Sequence, residues 1–320
     1  VFGSMLFQDS NVDWPSHKII QVSRTLELPA PHLANQGYLV LPHPSHMTTY
    51  QTLRVEIKGL VASVILSNGK ANAMSSQFFQ ECGACFRELG QNTNVRCIVL
   101  KADGKYFTVG LDLKDASNNT TNNNTTTTDV ARKALKQRAH LLYLQDCFSA
   151  LEHCPQPIIL ATHGATIGGG IDLCCCCDIR LASEQAFFSI KEVDVGLCAD
   201  LGTLQRLPKI VGNTSKICEW AYTARRFDAQ EALRHGLVST VYPTRESLYA
   251  GADAMAQVIA SKSPVAVYGT KINLQYARDH SVAQSLEYQA TWSGSMLQSE
   301  DLPKSFVASL NKSKATYSKL

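Results

Sequence analysis

Two short β-like runs open the patterned part of the chain, Leu53 to Ile57 and Val61 to Leu66, separated by Lys58-Gly59-Leu60. Apolar and β-branched runs on either side of a glycine-bearing break predict a hairpin. From 73 to 89 the period changes: Met74, Phe78, Phe79, Cys82, Cys85, Phe86 and Leu89 recur at helical spacing. Arg96 to Leu100 (RCIVL) reads as a short buried strand, about 129 to 152 as a long amphipathic helix, and Pro157 to Thr162 (PIILAT) as another buried strand. The last runs into Gly164 and the Gly168-Gly169-Gly170 run. Short strands and helices continue to about 245, and 247 to 285 is helical in pattern. Strands alternating with helices predict an α/β architecture. The pattern leaves a flat doubly wound sheet and a spiral of β-β-α turns both open.

Two stretches break the pattern. Residues 1 to 50 read as an extension, because Pro29, Pro31, Gly37, Pro42 and Pro44 interrupt any periodicity, and Val1-Phe2-Gly3-Ser4 before Met5 is left out of the fold reasoning. Residues 117 to 128 (SNNTTNNNTTTT) are too polar to build a core and are expected to be a mobile surface insert. The expected division is an extension over 1–50, a core over 51–246 carrying that insert, and a helical region over 247–320.

Composition narrows the function classes. With 45% hydrophobic and 18% charged residues, the chain has the make-up of a soluble globular protein. A net charge of +3 with scattered Lys and Arg gives no basic tract for a nucleic-acid partner. No window approaches the length of a membrane-spanning helix, and no basic-then-apolar opening suggests a secretory signal. The eleven cysteines are an odd set in a chain that is not small, so reduced thiols are expected. The Cys82/Cys85 and Cys174/Cys177 spacings fall in apolar, helix-like stretches without histidine at ligand spacing, so no metal site is expected.

The candidate chemistry sits in two glycine-bearing loops and a set of acids. In HGATIGGGIDL (His163 to Leu173) a strand ends, glycines follow and an apolar helix begins. A helix N-terminus reached over glycines offers free N–H groups to a phosphate or an oxyanion. A tight strand-to-helix turn without a ligand explains the same residues equally well. The second loop, GKYFTVGLDL (Gly104 to Leu113), also follows a strand; Lys105 at its start faces either a phosphate or solvent. Asp172, Glu192 and Asp200 lie among apolar and small residues, where carboxylates are costly unless paired or functional. Burial raises their pKa values toward neutrality. Asp178 and Asp194 read instead as caps or salt-bridge members, with Arg180 and Arg206 as partners, and His163 reads as structural.

KYFTVGLDL and GATIGGGIDL resemble the paired oxyanion-hole loops of the crotonase (enoyl-CoA hydratase/isomerase) superfamily, over a stretch from about Leu53 to the C-terminus. Within it, SIKEVDVGLCADLGTLQRLPKIVGN and SKSPVAVYGTKINLQYARDHSVAQSLEY closely resemble the Δ3,5-Δ2,4-dienoyl-CoA isomerases. The resemblance implies a spiral of repeated β-β-α turns with a C-terminal helical oligomerisation region, and trimers or hexamers. It implies an oxyanion hole from the N–H groups of Leu111 and Gly169. It also implies acid/base roles for Glu192 and Asp200, a third acid at Asp172, and coenzyme A near Ala71, Asn72, Ala73 and Lys105. The substrate implied is an acyl-CoA with double bonds at positions 3 and 5. Its isomerisation carries a proton from C2 to C6 and needs no cofactor beyond the coenzyme A of the substrate itself. The rival readings are an enoyl-CoA hydratase of the same fold and a non-catalytic RNA-binding or scaffold member. Ser318-Lys319-Leu320 reads as a peroxisomal address for an import receptor, with a mitochondrial location as a second option.

Overall fold

The computed structural model describes residues 48–122 and 129–320. The expected extension lies almost wholly outside these residues, as do positions 123–128 of the insert.

The predicted hairpin forms from β1 (Leu53–Lys58) and β2 (Val61–Leu66), paired antiparallel with Lys58 opposite Val61. Gly59 closes it with φ +61°, a conformation that a Cβ disfavours. Then come α1 (Ser76–Gln91), β3 (Cys97–Ala102), α2 (Leu113–Asn122) and α3 (Val130–His153). Helix α1 begins where the Ser75 side chain accepts from the Phe78 N–H. Helix α2 reaches into the insert as far as Asn122. Asp112 explains its start, because the carboxylate accepts from the N–H groups of Lys114 and Asp115, and an N-cap nucleates a helix even in a polar sequence.

Two turns of a spiral follow. The first is β4 (Ile158–Thr162), β5 (Ala165–Ile167) and α4 (Gly169–Cys175). The second is β6 (Ile179–Ser183), β7 (Phe187–Ser189), a 3₁₀ turn over Glu192–Val195, α5 (Thr203–Ile210) and α6 (Thr214–Thr223). After these come β8 (Phe227–Asp228), α7 (Ala229–Arg234) and β9 (Thr240–Tyr242). Each turn gives one strand to a large sheet of order β1-β2-β3-β4-β6-β9 and one to a small sheet of order β5-β7-β8. From β2 onward the large sheet is parallel. This is the β-β-α spiral, and not the flat doubly wound sheet that the pattern alone left open.

Strand alternation decides which element covers which face. In β3, Ile98 and Leu100 join the core that holds Phe78, Phe79, Phe86 and Phe148 of α1 and α3. Cys97 and Val99 face the other way, onto a second core with Leu248, Ala252, Ala256 and Ala260 of α8 (Arg245–Ala260). Alanines four apart let α8 lie close on the sheet. The chain ends in α9 (Pro264–Tyr276), α10 (Val282–Met296) and α11 (Asp301–Leu310).

The ion pairs differ in part from those expected. Asp178 pairs with Lys271, 2.8 Å away, and Asp194 with Lys191. Arg180 donates to the carbonyls of Leu237 and Cys177, and Arg206 pairs with Glu152. Sequence distance hid the Lys271 partner, 93 residues from Asp178 and on a helix that only the fold brings near. Lys271 is buried, and its ammonium also donates to the Gln156 carbonyl at 3.0 Å, while Asp178 accepts from the Ile158 N–H. Lys271→Met should therefore strand a carboxylate beside β4 and cost about 3 kcal/mol in urea unfolding. Adding Asp178→Asn should recover part of that loss, and equal stability of Lys271→Met and wild type would rule out the pair as an anchor for α9.

Candidate active site

The two glycine-bearing loops meet backbone to backbone. The segment after β3 runs along the segment after β4: Phe107 N–H donates to His163 O, Thr108 N–H to Ala165 O, and Ile167 N–H back to Thr108 O. Gly110 has φ +84°, and a Cβ there would lie 2.6 Å from the Ile167 carbonyl oxygen. A Cβ on Gly170 would meet the Thr108 methyl at 2.5 Å. Only glycine permits so close an approach. On the other side, Met74 N–H donates to Gly110 O and Asp112 N–H to Met74 O, which brackets Leu111. Among the described residues, the Leu111 N–H meets no acceptor. Gly169 is the first residue of α4, so its N–H has no place in the helical ladder. Both proposed donors are thus free, on loops held in contact.

Glu192 lies beside Gly168, the residue before the Gly169 donor. A Cβ on Gly168 would come within 3.3 Å of Glu192 Oε1. The other oxygen, Oε2, is buried and has no hydrogen-bond partner among the described residues. Burial pushes the Glu192 carboxyl up to about 7, and the carboxylates of Asp172 and Asp200 push the same way. Asp172 is buried at 1% exposure in the first turn of α4, and burial pushes it up to about 6. Its Oδ1 accepts from the Thr203 N–H at 2.6 Å, which partly offsets that penalty. Asp200 is half-buried, and desolvation raises its carboxyl too. Three acids contributed by α4, the 3₁₀ turn and the segment before α5 are close enough for Asp172 and Asp200 both to perturb Glu192.

The proposed coenzyme A residues have different surroundings. Asn72 is buried at φ +49°. Its amide donates to the carbonyls of Asp103 and Tyr106 and its Oδ1 accepts from the Asn68 N–H. That side chain is committed to the shape of the loop between Ala71 and Ala73. Lys105 is exposed, 5.1 Å from the Tyr106 ring centroid, with no carboxylate partner among the described residues. His163 is held between Tyr249 Oη at 3.1 Å and Gly104 O at 3.2 Å, and burial lowers it to about 4, so it is neutral. Cys174 to Cys177 are buried free thiols with raised pKa values. Among the described residues, no group of three or more His, Cys, Asp and Glu is placed to hold a metal ion. Sequence reasoning missed Thr203, whose role belongs to its backbone N–H and leaves no side-chain signal.

The profile of the Enoyl-CoA hydratase/isomerase family matches residues 56–319. The chain belongs to the enoyl-CoA hydratase/isomerase family. It is 46% identical to the human mitochondrial Delta(3,5)-Delta(2,4)-dienoyl-CoA isomerase over 282 residues, covering 87% of this chain and 85% of that protein. With the peroxisomal isomerase of Arabidopsis thaliana it shares 44% over 278 residues, 86% of this chain and 99% of that one. A crystal structure of enoyl-CoA hydratase from Bacillus anthracis superposes with a TM-score of 0.74 at 26% identity, covering 83% of this chain and 99% of that one. The crotonase fold is thereby established for this family member.

The raised carboxyl of Glu192 has a consequence for stability. Its value of about 7 lies above the ordinary 4.5, so the group's contribution is fully present below about pH 4.5 and is lost as pH rises through 7. Glu192→Gln should therefore be more stable than wild type by about 1–3 kcal/mol near pH 8, the gap closing toward about pH 4.5. Urea unfolding at the two pH values checks this, and a pH-independent gap would mean that the carboxylate is not desolvated.

Proposed function

We propose that this chain is a Δ3,5-Δ2,4-dienoyl-CoA isomerase that transfers a proton from C2 to C6 of a 3,5-dienoyl thioester. The identity of 44–48% to proteins named for this reaction supports the activity. The observations that carry the mechanism are three desolvated acids, one of them, Glu192, beside Gly168, and two N–H groups that meet no acceptor among the described residues. Removing the C2 proton puts negative charge on the thioester oxygen, and the Leu111 and Gly169 N–H groups stabilise it. Such donors are worth about 3–4 kcal/mol of barrier each. Glu192, against Gly168 and with one oxygen unpartnered among the described residues, takes the C2 proton. A carboxyl near 7 is matched to giving and taking protons at neutral pH. C6 lies four carbons along an extended dienolate, beyond easy reach of the same group, so Asp200 protonates it. Asp172, buried and held by Thr203, tunes the pair electrostatically.

The reaction moves protons and double bonds without net electron transfer, so it calls for no redox cofactor, and with two N–H donors stabilising the thioester oxygen it calls for no metal there. Coenzyme A enters as part of the substrate, its nucleotide beside the backbone of Ala71, Asn72 and Ala73 and its phosphates near Lys105. The peroxisome is the location favoured here, by analogy with the Arabidopsis relative, whereas the human relative is named mitochondrial. Among the described residues no helix is long and apolar enough to cross a membrane.

Assembly into a trimer or hexamer is part of the same reading. Helix α10 has no buried residue, and it carries Val282 and Leu286 at 77% and 65% exposure. So much apolar surface on one helix favours a protein partner. Val282→Glu with Leu286→Glu should shift the sedimentation of the protein from oligomer toward monomer. Sedimentation unchanged from an oligomeric wild type would move the interface elsewhere, and a monomeric wild type would remove it.

The acid assignment is tested by following deuterium uptake at C2 from heavy water beside product formation. Asp200→Asn should block product while C2 exchange continues, and Glu192→Gln should stop both. Asp172→Asn should slow turnover and keep some exchange. Product from Asp200→Asn at near wild-type rate would remove the two-carboxylate shuttle. Loss of exchange in Asp200→Asn with its retention in Glu192→Gln would reverse the polarity.

A further inference from the structure

We infer that Gln145 is a positioning residue for the C6 carboxylate, Asp200. This goes beyond the acid assignment above and rests on it.

The segment that carries Asp200 has little structure of its own. It joins the 3₁₀ turn to α5, and no N–H from Cys198 to Leu201 donates to a backbone carbonyl among the described residues. No side chain among the described residues hydrogen-bonds the Asp200 carboxylate, which must stay free to exchange a proton. Where that carboxylate sits is therefore set by what holds its backbone. Its neighbours Ala199 and Leu201 pack in the main core, and one short bond fixes the carbonyl between them: Gln145 Nε2 donates to the Asp200 carbonyl at 2.7 Å. Next along the chain, Arg206 Nη1 approaches the Leu201 carbonyl at 3.4 Å, a longer and weaker contact. Two residues further, the Thr203 N–H is fixed on Asp172. The short bond at Asp200 therefore couples the segment to a different element, the long helix α3.

Gln145 is suited to this because its own helix is locked. Phe148 and Cys147, just beyond it on α3, are buried in the main core. One turn on, Ser149 Oγ accepts from Arg206 Nη2 at 3.0 Å, and Glu152 accepts from Arg206 Nε at 3.0 Å and from Arg278 Nη1 at 2.5 Å. Those bonds tie α3 to α5 and to the segment after α9. The arginine packs over Gly202, where a Cβ would lie 1.9 Å from Nη1 and φ is +129°. The side-chain amide of Gln145 thus transmits the position of a rigid helix to a carbonyl whose own side chain does chemistry. A catalytic group displaced by about 1 Å can lose on the order of 100-fold in rate. Glu192 lies against Gly168 on the other loop and has no bond to Gln145, so the first proton transfer is insulated from it.

The test uses the full-length protein with 3,5-dienoyl-CoA in heavy water. Gln145→Met keeps the length and Gln145→Leu keeps the bulk close to the helix; both are uncharged and remove the donor, so one stands in if the other folds poorly. Product formation should fall about 10- to 100-fold, while deuterium exchange at C2 stays within about 2-fold of wild type. A general packing defect would lower both rates together, and that outcome overturns the inference, as does product formation at the wild-type rate in a folded variant. Asp200→Asn is run alongside: if it makes product normally, the shuttle itself fails. If it behaves as expected and the Gln145 variants do not, only the positioning role fails.

Discussion

The close approach of two loop backbones is the constraint on which the site depends. Gly110 sits so near the Ile167 carbonyl that a Cβ would overlap it, and Gly170 sits equally tightly over the Thr108 methyl. Backbone hydrogen bonds between residues 107–108 and 163–167 keep the loops in register. This contact brings the start of α4 onto the loop that carries Leu111, and the Leu111 and Gly169 N–H groups meet no acceptor among the described residues. A side chain at either glycine would separate the loops and aim the donors apart.

The acids then follow from topology. Helix α4 starts at the second loop, so Asp172 in its first turn is drawn into the interior. The next strand of the small sheet, β7, pairs with β5 and delivers the 3₁₀ turn with Glu192 to Gly168. The chain must return to α5, whose first N–H lands on Asp172. Desolvation is common to all three carboxyls and raises each one. Such a cluster opposes folding at neutral pH, a cost typical of catalytic sites that the two hydrophobic cores flanking the large sheet offset.

Much of the fold was legible because its elements are locally consistent. Leu53–Leu66 alternates about a glycine turn, and α1 and α3 show helical spacing and side-chain caps. The insert was harder to read: polar composition argued against structure, yet the Asp112 cap starts a helix that reaches Asn122. The partners of Asp178 and Arg206 were also misjudged, because local charge pairing was the only guide available and Lys271 and Glu152 are far away in sequence.

By itself the sequence determined that two glycine loops follow short buried strands, and that Asp172, Glu192 and Asp200 stand in apolar surroundings. Those are local properties, fixed by residue type and spacing. Whether the two glycine loops met, whether the sheet was flat or spiral, and which groups held the acids were decided only by tertiary structure. The physical reason is that these depend on backbone groups and long-range contacts. The N–H groups of Gly169 and Thr203 carry no side-chain signature. Gln145, 55 residues before Asp200, reaches its carbonyl only once α3 has packed against the core.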